Sequence, residues 1–370
     1  MKRTEAQVLA LMKAGLTGEA PPQDLFTGAV DWQAIYDIAF SQTMVCIVTD
    51  GISLLPDEQK PVIDILELFL ADTLATEIRN DQMDRFLVKM TGPLGKAGFN
   101  PVVLKGQCLA LNYPDPRHRQ SGDIDLLVPP SDYPALRDYL ASKADRLADE
   151  YSEVLHQGMV FGNIEVEVHG AISSLFSFSL DSKLAGEVEA LFANEDFCEV
   201  PIRDGRIRVP GDSFNAVYIL LHTFRHYFTA GVGLRQICDW AMFLHAHRET
   251  LDREAIEKKL RYLGLMRAWK VFGAFAVEYF GIPSESVPFY TPVSKRRLER
   301  MLSFVFKCGN FGSNEDRIRG DEPYLIKKIH SFLLFDVHDK LRHLLVFPVD
   351  SLRFFFGAVF YGFRRLFRGV

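Results

Sequence analysis

The chain lacks the features that define several large classes of protein. Its five cysteines are scattered and form no CxxC pair, which excludes a disulfide framework and a zinc knuckle. No stretch supplies the roughly 20 uncharged apolar residues of a membrane span. The N-terminal segment MKRTEAQVLALMKAG carries acidic and polar side chains where a signal peptide needs an unbroken apolar stretch. We therefore expect a cytoplasmic protein with reduced thiols.

An excess of positive charge is also lacking, because the formal net charge is -6. Proteins that bind nucleic acid in general are usually basic, so a large nucleic acid is not expected as a partner. Internal repeats and low-complexity tracts are absent as well. At 370 residues, however, the chain is long enough to bury a large core and to form more than one domain.

The hydrophobic pattern predicts helices at both ends of the chain and a mixed segment between them. After Pro61, apolar residues recur at spacings of three and four, which predicts a helix to about Met90. The segment TGPLGKAGFNP then breaks the helical pattern. Short strands are predicted at PVVLKG (101–106), GDIDLLV (122–128) and MVFGNIEVEVHG (159–170).

These elements predict an α+β fold with a small mixed β-sheet core. We expect the core to be flanked by an N-terminal and a C-terminal helical region. The predicted division is an N-terminal helical region over 1–92, a core over 93–210, a C-terminal helical domain over 211–350 and an amphipathic tail helix over 351–370.

Two aspartates lie one residue apart inside the second predicted strand. Strand alternation places Asp123 and Asp125 on the face opposite to the apolar residues around them. Two like charges on one face repel each other unless a cation lies between them. Taken alone, the pair is also compatible with the solvated face of an edge strand.

The third predicted strand carries a second set of acids. Glu165, Glu167 and His169 alternate with Ile164, Val166 and Val168, so the three polar side chains share one face. If this strand lies beside the first acidic one, three or four carboxylates converge. That many hard oxygen ligands suit Mg²⁺ or Mn²⁺, and two such ions can hold a triphosphate for in-line attack.

Two segments before the aspartates are candidates for phosphate contact. A strand that runs into a glycine opening a helix allows backbone N–H groups to approach phosphate closely, and Lys105-Gly106 has this form. Lys105 would add a point charge. The loop over 113–122 offers Arg117, His118 and Arg119 for phosphate or acceptor contact, with a solvated loop as the alternative. Of these three we favour Arg119.

Together, these motifs resemble the nucleotidyltransferase superfamily of the DNA polymerase β type. In that superfamily a glycine-containing strand-to-helix turn precedes an [S/G]-x-D-x-D strand, and a third acid lies on a later strand. More narrowly, the chain resembles the bacterial uncharacterised nucleotidyltransferase family. The matching stretches are LKG (104–106), YPDPRHRQSGDIDLLV (113–128), EVH (167–169), LHTFRHYFTAGVGLRQICDWAMFL (221–244) and GNFG (309–312).

The resemblance implies a mixed sheet of five strands or fewer, flanked by helices and with the acids at its edge. It implies that Asp123 and Asp125 bind metal and that Glu167, which fits the family's E-x-H pattern, is the third carboxylate. His169 is then a metal ligand, a base or a hydrogen-bond partner of the ligands, and we favour the last role for it and for Glu165. The implied nucleotide-binding residues are Lys105, Gly106, Gln107, Arg119, Ser121 and Gly122, with Gln107 standing where the family usually has serine.

The function implied is a Mg²⁺-dependent transfer of a nucleoside monophosphate from an NTP to an unidentified hydroxyl acceptor, with release of pyrophosphate. Glu167 would also take the proton from the attacking hydroxyl. One alternative is a DxD glycosyltransferase that uses a nucleotide sugar. The other is a non-catalytic nucleotide-binding or scaffold member that keeps the fold.

The C-terminal segment SLRFFFGAVFYGFRRLFRGV predicts an amphipathic helix. Its aromatic and aliphatic residues gather on one side of a helical wheel, and its four arginines gather largely on the other. One interpretation is a terminal helix docked on the C-terminal domain. The other is peripheral contact with the inner membrane face, with the apolar side in the bilayer and the arginines on anionic headgroups.

Overall fold

The computed structural model describes residues 1–151, 155–172, 178–229, 231–310 and 343–368. Within these residues the fold is α+β, as expected. A mixed sheet of five strands and a separate two-stranded hairpin lie between helical regions. All five cysteines are free thiols. None of the helices in the described part of the chain has both the length and the apolar composition to cross a membrane.

Four helices precede the sheet, and two of them approach each other closely. They are α1 (Arg3–Thr17), α2 (Trp32–Ser41), α3 (Val45–Ser53) and α4 (Ile63–Lys96). A Cβ atom on Gly15 would lie 2.1 Å from the carbonyl oxygen of Ile47, and one on Gly51 would lie 2.1 Å from that of Leu11. Only glycine therefore allows α1 and α3 to pack at this distance.

Helix α4 continues past the end that the sequence predicts. It extends beyond Met90 to Lys96 and contains Pro93 within its last turns. Leu94 is 1% exposed, and burial of its side chain offsets the backbone hydrogen bond that Pro93 cannot donate. The prediction of a helix end near Met90 is therefore wrong.

The central sheet has the strand order β1-β2-β5-β4-β3. Strand β2 pairs in parallel with β5, and the other three pairings are antiparallel, so the sheet is mixed. The resemblance implied that the acids lie at the edge of the sheet. This is wrong, because β2 and β5, which carry the acids, are interior strands. The strands are β1 (Val102–Leu104), β2 (Asp123–Leu127), β3 (Arg146–Tyr151), β4 (His156–Phe161) and β5 (Ile164–His169).

The segment predicted as a third single strand is a β-hairpin. The chain reverses between β4 and β5 at Gly162, which has a φ of +62°, a backbone conformation that favours glycine. The carboxylate of Asp145 accepts a hydrogen bond of 2.7 Å from the Gly162 N–H and holds the turn against the preceding strand. The prediction of one strand over 159–170 is wrong, although the alternation of its second half is correct.

The remaining elements enclose the sheet. The core forms one continuous cluster of buried apolar side chains, and it includes the edge-to-face pair of Trp240 and Trp269, whose ring centroids are 4.9 Å apart. The elements are α5 (Gly106–Ala110), α6 (Tyr133–Ala141), α7 (Phe178–Ala193), β6 (Phe197–Ile202), β7 (Gly205–Pro210), α8 (Asp212–Thr229), α9 (Leu234–Ala246), α10 (Arg253–Leu263), α11 (Met266–Phe280), α12 (Lys295–Cys308) and α13 (Pro348–Arg368).

The tail helix predicted over 351–370 corresponds to most of α13, and residues 369 and 370 lie outside the described residues. Phe354 on this helix is 1% exposed and stacks on Phe228 of α8 with ring centroids 4.4 Å apart. Leu352, Phe356 and Phe360 are in contrast 49%, 64% and 60% exposed. The helix is therefore docked through one face and leaves an apolar face in solvent. Residues 311 and 312 of the GNFG stretch lie outside the described residues.

Candidate functional site

Two pairs of acidic residues face each other across adjacent parallel strands. In the register of β2 and β5, Asp123 is opposite Glu165 and Asp125 is opposite Glu167. Single carboxylate oxygens of Asp123, Asp125 and Glu167 all lie within 4.8 Å of one another. Glu165 is exposed and lies outside this cluster. We call Asp123, Asp125 and Glu167 the carboxylate cluster.

Asp125 is the most deeply buried member of the carboxylate cluster, with 1% of its surface exposed. Its Oδ2 lies 3.0 Å from the Nζ of Lys105, and its Oδ1 lies 2.7 Å from the Nε2 of His169. Burial by itself would raise the pKa of Asp125, but Lys105 and then His169 outweigh burial and lower it. Both oxygens of Asp125 therefore carry a cationic partner, and the carboxyl is ionised.

Asp123 has the opposite electrostatic environment. Burial, and then the negative charge of Asp125, raise its pKa to about 6, and Lys105 only partly offsets this. The charge of Asp123 is therefore poorly compensated by the side chains around it. A divalent cation is the kind of ligand that would relieve such crowding.

Glu167 is held by two histidines. The Nε2 atoms of His156 and His169 lie 3.0 and 3.4 Å from its Oε2. Burial would raise the pKa of Glu167, but the hydrogen bonds from both imidazoles lower it far below its usual range. Burial would likewise lower the pKa of His169, but Asp125 and Glu167 raise it to about 9. The sequence did not identify His156 as a site residue. Its position opposite His169 depends on the β4–β5 hairpin, which the sequence predicted as a single strand.

The Lys105-Gly106 turn lies directly beside the first aspartate. Lys105 has a φ of 49° and a ψ of -138°, a strained conformation for a non-glycine residue. Gly106 has a φ of +40°, and a Cβ atom there would lie 3.2 Å from the carbonyl oxygen of Asp123. The turn thus brings the start of α5 against the start of β2, and its contact with phosphate stays a prediction.

The side-chain amide of Gln107 already donates a hydrogen bond within the protein. Its Nε2 donates a hydrogen bond of 2.6 Å to Asp84 on α4, and only 3% of the residue is exposed. Burial raises the pKa of Asp84, and the Gln107 hydrogen bond partly opposes the shift. Gln107 therefore lies at the turn, but its side-chain amide donates its hydrogen bond to Asp84.

Arg119 and Ser121 lie in a buried ion network at the start of β2. The guanidinium of Arg119 donates to both carboxylate oxygens of Asp239 on α9, at 3.0 and 2.8 Å, and to the Oγ of Ser121 at 2.9 Å. Tyr113 also donates to Asp239, at 2.8 Å. Arg119 and Asp239 are each about 4% exposed. Arg119 therefore fastens the loop to α9 in this structure, and its contact with phosphate stays a prediction.

Arg235 and Asp239, four residues apart on α9, also form an ion pair, with 3.7 Å between Nη1 and Oδ2. Arg235 also donates from Nε to the Oγ1 of Thr43 at 3.0 Å. Gly122 accepts a hydrogen bond of 2.8 Å at its carbonyl oxygen from Arg79 of α4. These contacts tie the loop before β2 to the N-terminal helices as well as to α9.

His118 belongs to a second group of acids on the outer side of the same loop. Its Nδ1 lies 2.8 Å from Asp50 and its Nε2 lies 3.0 Å from Glu77. The hydrogen bond to Asp50, opposed by burial, raises the pKa of His118 to about 9. Arg117 pairs with Asp115 at 2.7 Å beside it. The loop is therefore anchored on both sides by charged contacts.

Comparison with known proteins gives one match. A family model described as an uncharacterised nucleotidyltransferase matches residues 28–281, a range that includes the whole carboxylate cluster and the turn before it. No curated protein and no solved structure matches the chain.

Proposed function

The chain belongs to the uncharacterised nucleotidyltransferase family, and from this premise we propose that it transfers a nucleoside monophosphate from an NTP to a hydroxyl acceptor, releasing pyrophosphate. The observation that carries the proposal is the carboxylate cluster, with three acids from two adjacent parallel strands within 4.8 Å. Three convergent carboxylates repel one another electrostatically, and a cation bound between them relieves this repulsion.

The donor set fits Mg²⁺ or Mn²⁺, because the cluster consists of hard carboxylate oxygens. Asp123, Asp125 and Glu167 would hold the metal. When bound, such an ion supplies positive charge that stabilises the triphosphate and the leaving pyrophosphate. The uncompensated charge of Asp123 supports this assignment, since it is the acid with the least help from neighbouring cations.

The neighbouring residues would orient the nucleotide. Lys105 lies 3.0 Å from Asp125 and would supply a fixed positive charge to a phosphate bound there. Gly106 lets the turn pack closely against β2, because a Cβ atom there would lie 3.2 Å from the carbonyl oxygen of Asp123. Ser121 and Gly122 lie at the entry to β2, where we propose that they frame the triphosphate.

We assign removal of the proton from the acceptor hydroxyl to Glu167. Its side chain is 24% exposed, whereas that of Asp125 is 2% exposed, so an incoming acceptor can reach Glu167. Alignment of the reactants and fixed charge, which this cluster and Lys105 provide, would account for most of the rate acceleration.

The proposed activity is tested by label transfer. The purified chain is incubated with Mg²⁺, a cell lysate and each NTP labelled in turn at the α- or the γ-phosphate. The proposal predicts a labelled acceptor with α-label and none with γ-label, and loss of the signal in the Glu167→Gln variant. Transfer of label from a nucleotide sugar would favour the glycosyltransferase, and Mg²⁺-dependent NTP binding without any transfer would favour a non-catalytic member.

A further inference from the structure

A second group of metal-ligating atoms adjoins the carboxylate cluster. One donor atom from each of His156, Glu167 and His169 lies within 4.8 Å of the other two. This group contains two imidazoles and one carboxylate, whereas the carboxylate cluster contains oxygen donors only. We propose that His156, Glu167 and His169 bind a transition-metal ion of the zinc type, in a site distinct from the Mg²⁺ site and joined to it by Glu167.

The spacing of the donor atoms fits this class of ion. A tetrahedral zinc site with metal–ligand distances of about 2.0–2.1 Å has ligand atoms about 3.3 Å apart. The Nε2 atoms of His156 and His169 lie 3.0 and 3.4 Å from the Oε2 of Glu167. Both histidines thus present the same nitrogen to the same oxygen at the edge lengths that such a site requires.

The sheet fixes these positions. His156 on β4 lies directly opposite His169 on β5 in the antiparallel register, and their ring centroids are 4.8 Å apart. Glu167 lies two residues before His169 and therefore projects from the same face of the strand. Three donors on a two-stranded antiparallel ladder are held more rigidly than three donors on a loop.

The site is accessible from solvent. The side chains of His156, Glu167 and His169 are 21%, 24% and 12% exposed, so an ion can reach them from solvent. Imidazole ligands favour Zn²⁺ and chemically similar ions such as Co²⁺ over Mg²⁺, which prefers oxygen ligands and water.

Metal binding measured without nucleotide tests the proposal separately from the transfer activity. The full chain is stripped with a chelator and titrated with Co²⁺, which reports its ligands through visible absorption. Equilibrium dialysis then gives the affinities for Zn²⁺ and Mg²⁺. The informative variant is His156→Gln, because His156 is a ligand of the proposed site and is not a member of the carboxylate cluster.

The matched control is His247→Gln. His247 is also a partly exposed, ion-paired histidine, with its Nδ1 3.0 Å from Asp212, but it lies outside the cluster. We expect one equivalent of Co²⁺ with a visible absorption band in the wild-type chain, at least a tenfold loss of Zn²⁺ affinity in His156→Gln, and a change of less than twofold in His247→Gln.

The wild-type titration alone can overturn the proposal, whether or not a variant folds. Absence of stoichiometric Co²⁺ uptake, or an unchanged Zn²⁺ affinity in a folded His156→Gln variant, would mean that the two histidines serve only as ion-pair partners of Glu167. Failure of NTP transfer with intact Co²⁺ binding would instead overturn the proposed function and leave this site in place.

Discussion

Asp125 on β2 and Glu167 on β5 lie directly opposite each other in the parallel register of the central sheet. Each of the two carboxylates is in contact with His169, at 2.7 Å from Asp125 and 3.4 Å from Glu167. One imidazole therefore links acids from two strands that are far apart in the sequence. The stability of the cluster depends on such cationic partners, and the two aspartates differ sharply in how many they have.

Replacement of the two aspartates should have opposite effects on stability. Asp125→Asn removes the partner of Lys105 and His169, and breaking a buried ion pair typically costs about 3–5 kcal/mol. Asp123→Asn removes a carboxylate with poorly compensated charge, so the free energy of unfolding should stay equal or rise. Urea unfolding at pH 7.5 with a chelator present measures both. Equal destabilisation by the two variants would contradict the electrostatic description of the cluster.

The buried network around Asp239 should be strongly coupled. Arg119→Met leaves Asp239 without its two-point partner and should lower the free energy of unfolding by about 3–5 kcal/mol. Combining it with Asp239→Leu should cost much less than the sum of the two single changes. The exposed pair of Arg261 and Glu257 is the control, and Arg261→Gln should cost less than about 1 kcal/mol. Additive effects at Arg119 and Asp239 would show that the pair is not energetically linked.

The contribution of His118 to stability should depend on pH. Folding raises the pKa of His118 from 6.5 to about 9 through its contacts with Asp50 and Glu77. The stabilisation is therefore complete below pH 6.5 and is lost as the pH rises through about 9. We expect His118→Gln to lower the free energy of unfolding by about 1–2 kcal/mol at pH 6 and by much less at pH 10. A difference that is the same at both pH values would mean that His118 acts by packing alone.

The last helix should have two separable faces. A chain that ends at Asp350 loses the stacking of Phe354 on Phe228, so its melting temperature should fall. Replacing the exposed Leu352, Phe356 and Phe360 with serine should leave the melting temperature nearly unchanged.

If this face contacts membranes, the full chain floats with anionic liposomes and the triple variant does not. Absence of flotation by the full chain would make the helix purely structural.

The sequence predicts the fold class and the acidic strands because both depend on local patterns. Alternation in GDIDLLV and IEVEVH specifies which side chains share a face. The sequence left open whether the two strands are neighbours, and the structure pairs them in parallel. The hairpin before Glu165 was hidden, because Gly162 lies inside a run with strong strand propensity. The end of α4 was misplaced because tertiary burial of Leu94 overrides the local signal of Pro93.

The partners of the candidate site depend on contacts between distant parts of the chain. Arg119 meets Asp239, and Gln107 meets Asp84, across large separations in sequence. A single sequence gives no register for such pairs. His156 is a similar case, because its place beside Glu167 follows only from the antiparallel register of β4 and β5.

The central claim is that Asp123, Asp125 and Glu167 form the metal-dependent nucleotide site, with Glu165 outside it. Calorimetric titration with a non-hydrolysable NTP analogue, with and without Mg²⁺, tests this most directly in the wild-type chain and in the variants Glu167→Gln and Glu165→Gln. The two glutamates share a strand face, but only Glu167 lies within 4.8 Å of both aspartates, so Glu165→Gln is the matched control. We predict Mg²⁺-dependent binding in the wild type, at least a tenfold loss of affinity in Glu167→Gln and less than a twofold change in Glu165→Gln. Binding that does not depend on Mg²⁺, or an equal loss in both variants, would contradict the assignment.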